Sequence, residues 1–409
     1  MLGVLLLISV GMYGQNTISP YSIFGIGEIN YRGEGRNMGM GNSGIGLRSE
    51  VSLNSLNPAS LTTIGQKSFG IDLGIDMKYS QLENRYKSVN FLNGNLSWLQ
   101  IAFPINSILS MGFSIHPKSN VGYTISTIKY LEGTTTSYPV NYTGTGGLSE
   151  ISNTIGLKLW KHLSVGVTSS VSWGQMNRVE TDNPQISGVT SIDQTDKINY
   201  SGFSFKPGFQ FYHKLSKKID FTLGGIAEFY TPMNSTVQEV ISKVTTSSSG
   251  TISDVTEKGS PLHLPPLFGV GTSLGFNGKT ILAFDYTRCD WRNGSIGLSP
   301  EKLVLDNTYH LGLEFSPKYD AFIMKQAIKY RLGASYESGY LNFNGLTISG
   351  YSMSLGLSVP LRKEKSSINI SLEAGQYGRT ENQLIKETYA KLNLSFNLWE
   401  WWFIPQRYE

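Results

Sequence analysis

From about Ser68 onward this chain is written in stretches of strict apolar and polar alternation, and almost nowhere in a helical period. Phe69, Ile71, Leu73, Ile75, Met77 and Tyr79 fall on one face of an extended strand, and Ser68, Gly70, Asp72, Gly74, Asp76 and Lys78 on the other. Such strands are apolar on one side and wet on the other. Soluble strands cluster near 5 to 6 residues, whereas these run to a dozen or more. That length suits a bilayer.

Composition sharpens the choice. The chain has 409 residues, enough for two or three soluble domains, yet no Pro-rich or charge-rich linker divides the alternating part. No apolar run reaches the roughly 18 residues of a membrane helix. Any membrane-spanning structure must then be a closed barrel, the other arrangement that satisfies backbone groups in lipid. Charged residues make up only 16%, while 45 Gly, 22 Tyr, 19 Phe and 7 Trp suit glycine-bearing strands with aromatic girdles. A net charge of +4 offers no case for nucleic acid, and a single cysteine, Cys289, rules out a disulfide framework or a cysteine-based metal site. The five histidines, His116, His162, His213, His263 and His310, show no i,i+4 pair or carboxylate spacing. No metal, cofactor or catalytic residue is expected, and the chain is not read as an enzyme.

The first residues look like an address. Leu2 to Met12 is an apolar run of signal-peptide length, with small residues to Gln15 for cleavage, although no Lys or Arg precedes it. Residues 1–15 are thus expected to be a signal peptide.

Connections between the alternating stretches divide into two kinds. Short ones fall near Pro104 to Asn106, Lys161 to His162, Leu215 to Lys218, Asn277 to Gly278, Ser316 to Ala327 and Arg362 to Ser366. Long ones, rich in Thr, Ser and Gly, fall near Gln81 to Asn90, Glu132 to Gly146, Thr181 to Thr195, Ser242 to Pro261, Asn293 to Glu301, Tyr340 to Gly345 and Thr380 to Gln383. The two kinds alternate. They imply a transmembrane antiparallel β-barrel of about fourteen strands, both ends on the short-turn side, as in outer-membrane barrels. Asn277-Gly278 is the sharpest of these signals, since Asn-Gly favours a two-residue hairpin turn. The link Tyr319 to Lys329 has room for one or two helical turns.

Residues 16–67 differ in kind, being glycine-dense without sustained alternation. Because both chain ends emerge on the periplasmic side, the natural place for this segment is the lumen, where irregular backbone is tolerated if buried in protein. The expected organisation is therefore signal peptide 1–15, hatch or plug 16–67, and barrel 68–409 with an aromatic periplasmic tail.

Within that segment Arg36-Asn37-Met38-Gly39-Met40-Gly41-Asn42-Ser43-Gly44 is followed by Leu56-Asn57-Pro58-Ala59-Ser60-Leu61. This resembles the N-terminal hatch of the FadL/TodX long-chain fatty-acid transport family, whose hallmark is an Asn-Pro-Ala ahead of a fourteen-stranded barrel. The resemblance implies that Arg36, Gly39, Gly41, Asn57, Pro58 and Ala59 belong to a hatch. It also implies an outer-membrane location, with outer-membrane lipid as the surroundings and either a hydrophobic small-molecule ligand or periplasmic and outer-membrane proteins as partners. Members of the family also resemble shuttle subunits of secretion machines. Gly39, Gly41 and Gly44 satisfy G-x-G-x-x-G, but with no strand before and no helix after they are hatch turns, not a dinucleotide loop.

Two departures from the transporter pattern stand out. The loops Thr181 to Thr195 and Ser242 to Pro261 are mostly Thr, Ser, Asp and Gly, poor material for a hydrophobic collecting groove. The chain also continues past its last strand, with Trp401, Trp402, Phe403, Arg407 and Tyr408 in a tail that is either an aromatic girdle with a loose end or a partner-docking surface. The inward Asp72, Asp76, Lys78, Asp285, Glu373 and Lys391 line either a path or a simply solvated lumen.

His116, Pro117 and Lys118 interrupt the longest alternating stretch, the third strand, Ile108 to Tyr130. Proline cannot donate to a ladder, so this strand must bend or open there. In the FadL/TodX family a kink in the third strand opens a lateral exit to lipid, and the resemblance implies the same at His116 to Lys118; a closed local bulge is the alternative. The sequence thus favours an outer-membrane transporter of a hydrophobic, fatty-acid-like molecule working by hatch gating and lateral exit. The other reading is a non-transporting structural subunit of a secretion or barrel-assembly complex.

Overall fold

The structure, a computed structural model, describes residues 17–31, 33–184, 190–244, 249–298, 302–317, 328–361 and 366–401. The expected signal peptide, the link Tyr319 to Ala327 and the tail residues Trp402, Phe403, Arg407 and Tyr408 lie outside the described residues. A two-residue strand β1 (Glu28–Ile29) precedes the long strands β2 (Ser68–Glu83), β3 (Ser88–Pro104), β4 (Leu109–Tyr130), β5 (Ser137–Lys158), β6 (Leu163–Asp182), β7 (Ser191–Ser216) and β8 (Ile219–Tyr230). An outer hairpin, β9 (Asn234–Val244) and β10 (Ser249–Lys258), comes next. The ring resumes with β11 (Leu267–Phe276), β12 (Thr280–Asp290), β13 (Leu305–Phe315) and β14 (Lys329–Glu337). A small hairpin, β15 (Asn342–Phe343) and β16 (Leu346–Thr347), separates these from β17 (Gly350–Pro360), β18 (Ser367–Tyr377) and β19 (Lys386–Trp401).

Fourteen of these strands close a ring. Each of β2 to β8, β11 to β14 and β17 to β19 pairs antiparallel with its neighbour, and β8 passes directly to β11. The ring is sealed by β19 against β2, from Lys386 opposite Glu83 to Trp401 opposite Ser68. Closure matters because each unsatisfied backbone group in lipid costs several kcal/mol.

The alternation seen in the sequence places lipid outside. Met77, Leu92, Leu223, Val270, Leu311, Leu332, Leu355, Leu372 and Leu392 form an exposed apolar belt, while their neighbours Asp72, Gln210, Asp285, Glu314, Arg331, Asn369 and Ser395 are buried. A protein in water buries the first set and exposes the second. This inversion, on a closed barrel of even strand number, is that of an outer-membrane protein. Trp160 and Trp401 lie exposed at the short-turn end, where aromatic side chains mark the bilayer surface.

Several connections expected to be long loops are strand instead. Residues 81–83 and 88–90 continue β2 and β3, leaving Asn84 to Lys87 as the turn, and β5 and β7 take up Ser137 to Gly146 and Ser191 to Thr195. The segment Ser242 to Pro261 is largely the β9–β10 hairpin, with β9 pairing the upper half of β7 from Ser191 opposite Val244 to Ser201 opposite Asn234. Outside the bilayer both faces of a strand meet water, so the apolar periodicity fades while the ladder continues. At Asn277-Gly278 both residues take positive φ, 53° and 64°, as a primed turn requires. The ladder opposes Phe276 to Thr280, so Lys279 joins the loop and makes it one residue longer than expected.

Candidate functional site

The N-terminal segment is placed by what it touches. Ser22 Oγ donates to the Gly122 carbonyl on β4 at 3.0 Å, Trp399 Nε1 on β19 donates to the Val51 carbonyl at 2.9 Å, and the Gly44 and Ile45 amides donate to Asp285 Oδ2 on β12 at 2.6 and 2.8 Å. A segment in contact with strands on opposite sides of a closed ring lies inside the ring. Its side chains Met40, Leu47, Leu53, Ala59 and Leu61 are almost wholly buried there.

The two motif regions supply the anchors. Arg36, on a single helical turn Gly35–Met38, forms a two-pronged pair with Glu314 on β13: Nε to Oε2 at 3.0 Å and Nη2 to Oε1 at 2.9 Å. Arg331 on β14 donates from Nε to the same Oε2 at 2.7 Å and from Nη1 to Asn369 Oδ1 at 2.9 Å. Two guanidinium groups thus share one buried carboxylate. Gly39 packs on Gly356, and Gly41, at φ +64°, crosses β14 so closely that a Cβ on Gly333 would lie 1.9 Å from its nitrogen. Only glycine fits both positions.

Asn57 is fully buried and uses its whole amide. Its Oδ1 accepts from the Ala59 amide at 3.0 Å and caps the 3-10 turn Pro58–Thr63, while Nδ2 donates to the carbonyls of Ile45 at 2.9 Å and Phe209 at 3.0 Å. Pro58 takes the first position of that turn, where its missing N–H costs nothing. Gly208 on β7 makes room for the pair, since a Cβ there would sit 2.6 Å from Asn57 Oδ1.

His116, Pro117 and Lys118 stand where the wall changes. The ladder between β3 and β4 spans only Leu99 opposite Ile115 to Pro104 opposite Ser110. Beyond Ile115, β4 leaves β3 but stays paired to β5 through a bulge between Pro117 and Ser119. On its other edge, Ser119 and Asn120 pair with Ile29 and Glu28 of β1. From Lys118 to Tyr123 every residue of β4 is buried. Lys118 Nζ lies 3.2 Å from Glu150 Oε2 and 2.9 Å from Glu228 Oε1, and His116 Nε2 lies 3.5 Å from Glu150 Oε1.

Two voids flank this departure. One, of about 250 Å3, is walled by the N-terminal segment and by strands around the ring, and the other, of about 80 Å3, by the N-terminal segment with β2, β3, β4 and β19; both are walled in part by Glu28, Asn30, Lys78 and His116. Ion pairs share their walls with apolar side chains such as Ile29, Leu56, Leu267, Trp291 and Tyr340. Lys78 pairs with Glu387 at 2.8 Å, Lys391 with Asp76, and Tyr389 Oη donates to Glu373 Oε1 at 2.6 Å.

With this architecture in view, comparison with known proteins is informative. The family model described as BamG matches residues 1–409. The chain belongs to the BamG family. No curated protein matches it in sequence. Solved structures share its fold at low identity. The P. putida toluene transporter TodX superposes with a TM-score of 0.61 at 14% identity over 90% of this chain and 98% of TodX. The CymD monoaromatic hydrocarbon channel gives 0.59 at 17% over 90% and 97%, and a Pseudomonas aeruginosa FadL homologue 0.57 at 11% over 92% and 100%. The FadL/TodX resemblance therefore holds for the fold.

Sequence reasoning marked Arg36, Asn57 and Lys118, but not the carboxylates that Arg36 and Lys118 meet or the backbone carbonyls that Asn57 meets. Glu314 and Glu228 were nevertheless visible as charges between apolar residues, Leu313 and Phe315 in one case and Ala227 and Phe229 in the other, while Glu150 follows Ser149. Of the expected tail only Trp401 is described, and it ends β19 opposite Ser68.

Proposed function

We propose that this chain is a non-transporting structural subunit of an outer-membrane barrel-assembly complex, with residues 16–67 acting as a fixed hatch. The fixing of the N-terminal segment across the lumen carries this reading. A hydrophobic molecule crossing the barrel would also pass the charges of Lys78, Lys118, Glu150, Glu228 and Glu387, which stand among apolar side chains such as Leu267, Trp291 and Tyr340. The hatch is anchored through the buried group Arg36, Glu314 and Arg331, in which a hydrogen bond to a charged group contributes about 1.5 to 3 kcal/mol.

A second reading rests on the short β3–β4 ladder. It takes the departure at His116 to Lys118 as a lateral exit, and the solved channels named for toluene and monoaromatic hydrocarbons support it by fold.

Isolation from the native membrane in mild detergent separates the two. Stoichiometric outer-membrane or periplasmic polypeptides would support the subunit reading. Lipid or a hydrophobic molecule alone, with uptake abolished by a disulfide engineered across the β3–β4 gap, would overturn it in favour of transport.

A further inference from the structure

Cations crowd one sector of the short-turn end of the barrel. Lys158 and Lys161 flank the β5–β6 turn, Lys214, Lys217 and Lys218 the β7–β8 turn, and Lys279 stands in the β11–β12 turn, all of them exposed. These turns are neighbours in space: the Tyr212 amide donates to the His162 carbonyl at 2.9 Å, and the Asn277 amide to the Lys218 carbonyl at 2.7 Å. One acid stands among them, Asp220, opposite Lys214 in the ladder. The β3–β4 turn at the same end, Ile105-Asn106-Ser107-Ile108, carries no charge and exposes both isoleucines. Like charges on adjacent turns repel one another, and an anion facing them relieves that repulsion.

What adjoins the lysines says which anion fits. Phe209 and Phe211 on β7 are exposed on the lipid-facing side. The His213 ring continues that face, 6.4 Å from the Phe211 ring and tilted by only 19° from it, and the His162 ring lies 5.1 Å from His213. Trp160, 70% exposed, stands between Lys158 and Lys161. An apolar belt, an aromatic border and then ammonium groups follow the order of layers at a bilayer surface, where aromatic rings sit at headgroup level. Long lysine stems lie along apolar surface while their charged ends reach outward. An acidic protein would engage the lysines alone; a phospholipid engages the lysines and the belt behind them.

We propose that this sector of the periplasmic rim is a binding site for anionic phospholipid of the periplasmic leaflet, with phosphates held by the lysines of the three turns and acyl chains laid along Phe209 and Phe211. The site is on the outer wall and stands apart from whatever the lumen does. Each cation near an anionic surface strengthens such attachment by about fivefold.

The test uses the full chain in neutral detergent, with dioleoyl phosphatidylglycerol or dioleoyl phosphatidylcholine added and native mass spectrometry counting the lipid retained. Phosphatidylglycerol should be retained in preference, and raising the salt to about 0.5 M before measurement should weaken its retention, since exposed charges are screened. K161Q/K217Q/K218Q should weaken it by roughly a hundredfold, about fivefold for each cation removed, and K158Q/K214Q/K279Q similarly. K67Q, an exposed cation of the same end beside β2, should leave it unchanged. Heat-modifiable migration on gels checks that every variant keeps a folded barrel. Equal retention of the two lipids, or unchanged retention of phosphatidylglycerol by both triple variants, would overturn the site. So would a triple variant that keeps its lipid but sheds a copurifying acidic polypeptide, which would assign the lysines to a protein contact instead.

Discussion

Arg36 of the N-terminal segment and Glu314 of β13, 278 positions apart in the chain, meet inside the barrel through two charge-assisted hydrogen bonds of 3.0 and 2.9 Å. Both side chains are almost fully withdrawn from solvent, and the second guanidinium on Glu314, from Arg331, leaves the site with a net positive charge. R36A should therefore loosen the N-terminal segment locally by about 1.5 to 3 kcal/mol, the contribution of a hydrogen bond to a charged group, since Arg331 still compensates Glu314. Hydrogen exchange in the segment 33–48 would rise, and barrel strands would keep their protection. Unchanged exchange there would show that the pair does not anchor the hatch.

Asn57 should behave as a second, weaker anchor. N57A removes the cap of the turn Pro58–Thr63 and two bonds to buried carbonyls, with a cap alone worth about 0.5 to 2 kcal/mol. Exchange of the Ala59 to Ile64 amides should quicken, and N57D should restore the cap but not the donated bonds. If N57D and wild type exchange alike, the carbonyl contacts contribute nothing.

Close approach makes Gly208 a sensitive position although it carries no side chain. G208A places a methyl group 2.6 Å from Asn57 Oδ1, and such overpacking costs typically about 1 to 3 kcal/mol. Limited proteolysis should cut the hatch faster in this variant than in wild type. Equal rates would mean that β7 and the hatch are not in contact at this point.

The two faces of the wall should respond differently to charge. L372R on the lipid face should reduce the inserted, heat-modifiable barrel by about 2 to 4 kcal/mol in assembly free energy. Ser395 on β19 faces inward and is fully buried, with Gly35 of the N-terminal segment so near that a Cβ on that glycine would lie 2.1 Å from Ser395 Oγ, and S395R puts a long cation there. It should leave insertion intact and loosen the hatch. Matching losses of insertion from both variants would put the strand register in error.

Strand number, closure and facing were legible in the sequence because a bilayer imposes one rule on every residue of a spanning strand. Leu392, Leu394 and Phe396 alternate with Asn393 and Ser395 for that reason. The rule stops at the bilayer surface, and this is why Ser137 to Gly146 and the β9–β10 hairpin read as loops: with water on both faces nothing selects apolar residues at every second place. His116-Pro117-Lys118 was legible as an interruption, because proline cannot donate to a ladder, while the extent of the β3–β4 departure was not.

What the sequence by itself determined, then, is a fourteen-stranded lipid-facing barrel and a glycine-rich segment that could not be a strand of it. Only the tertiary structure decided which charges share a site. Lys118 meets Glu228 and Arg36 meets Glu314 because ring closure and a threaded segment bring together residues more than a hundred positions apart. A period of two tells each residue which side of the wall it faces, and carries no information about what stands opposite it across the lumen.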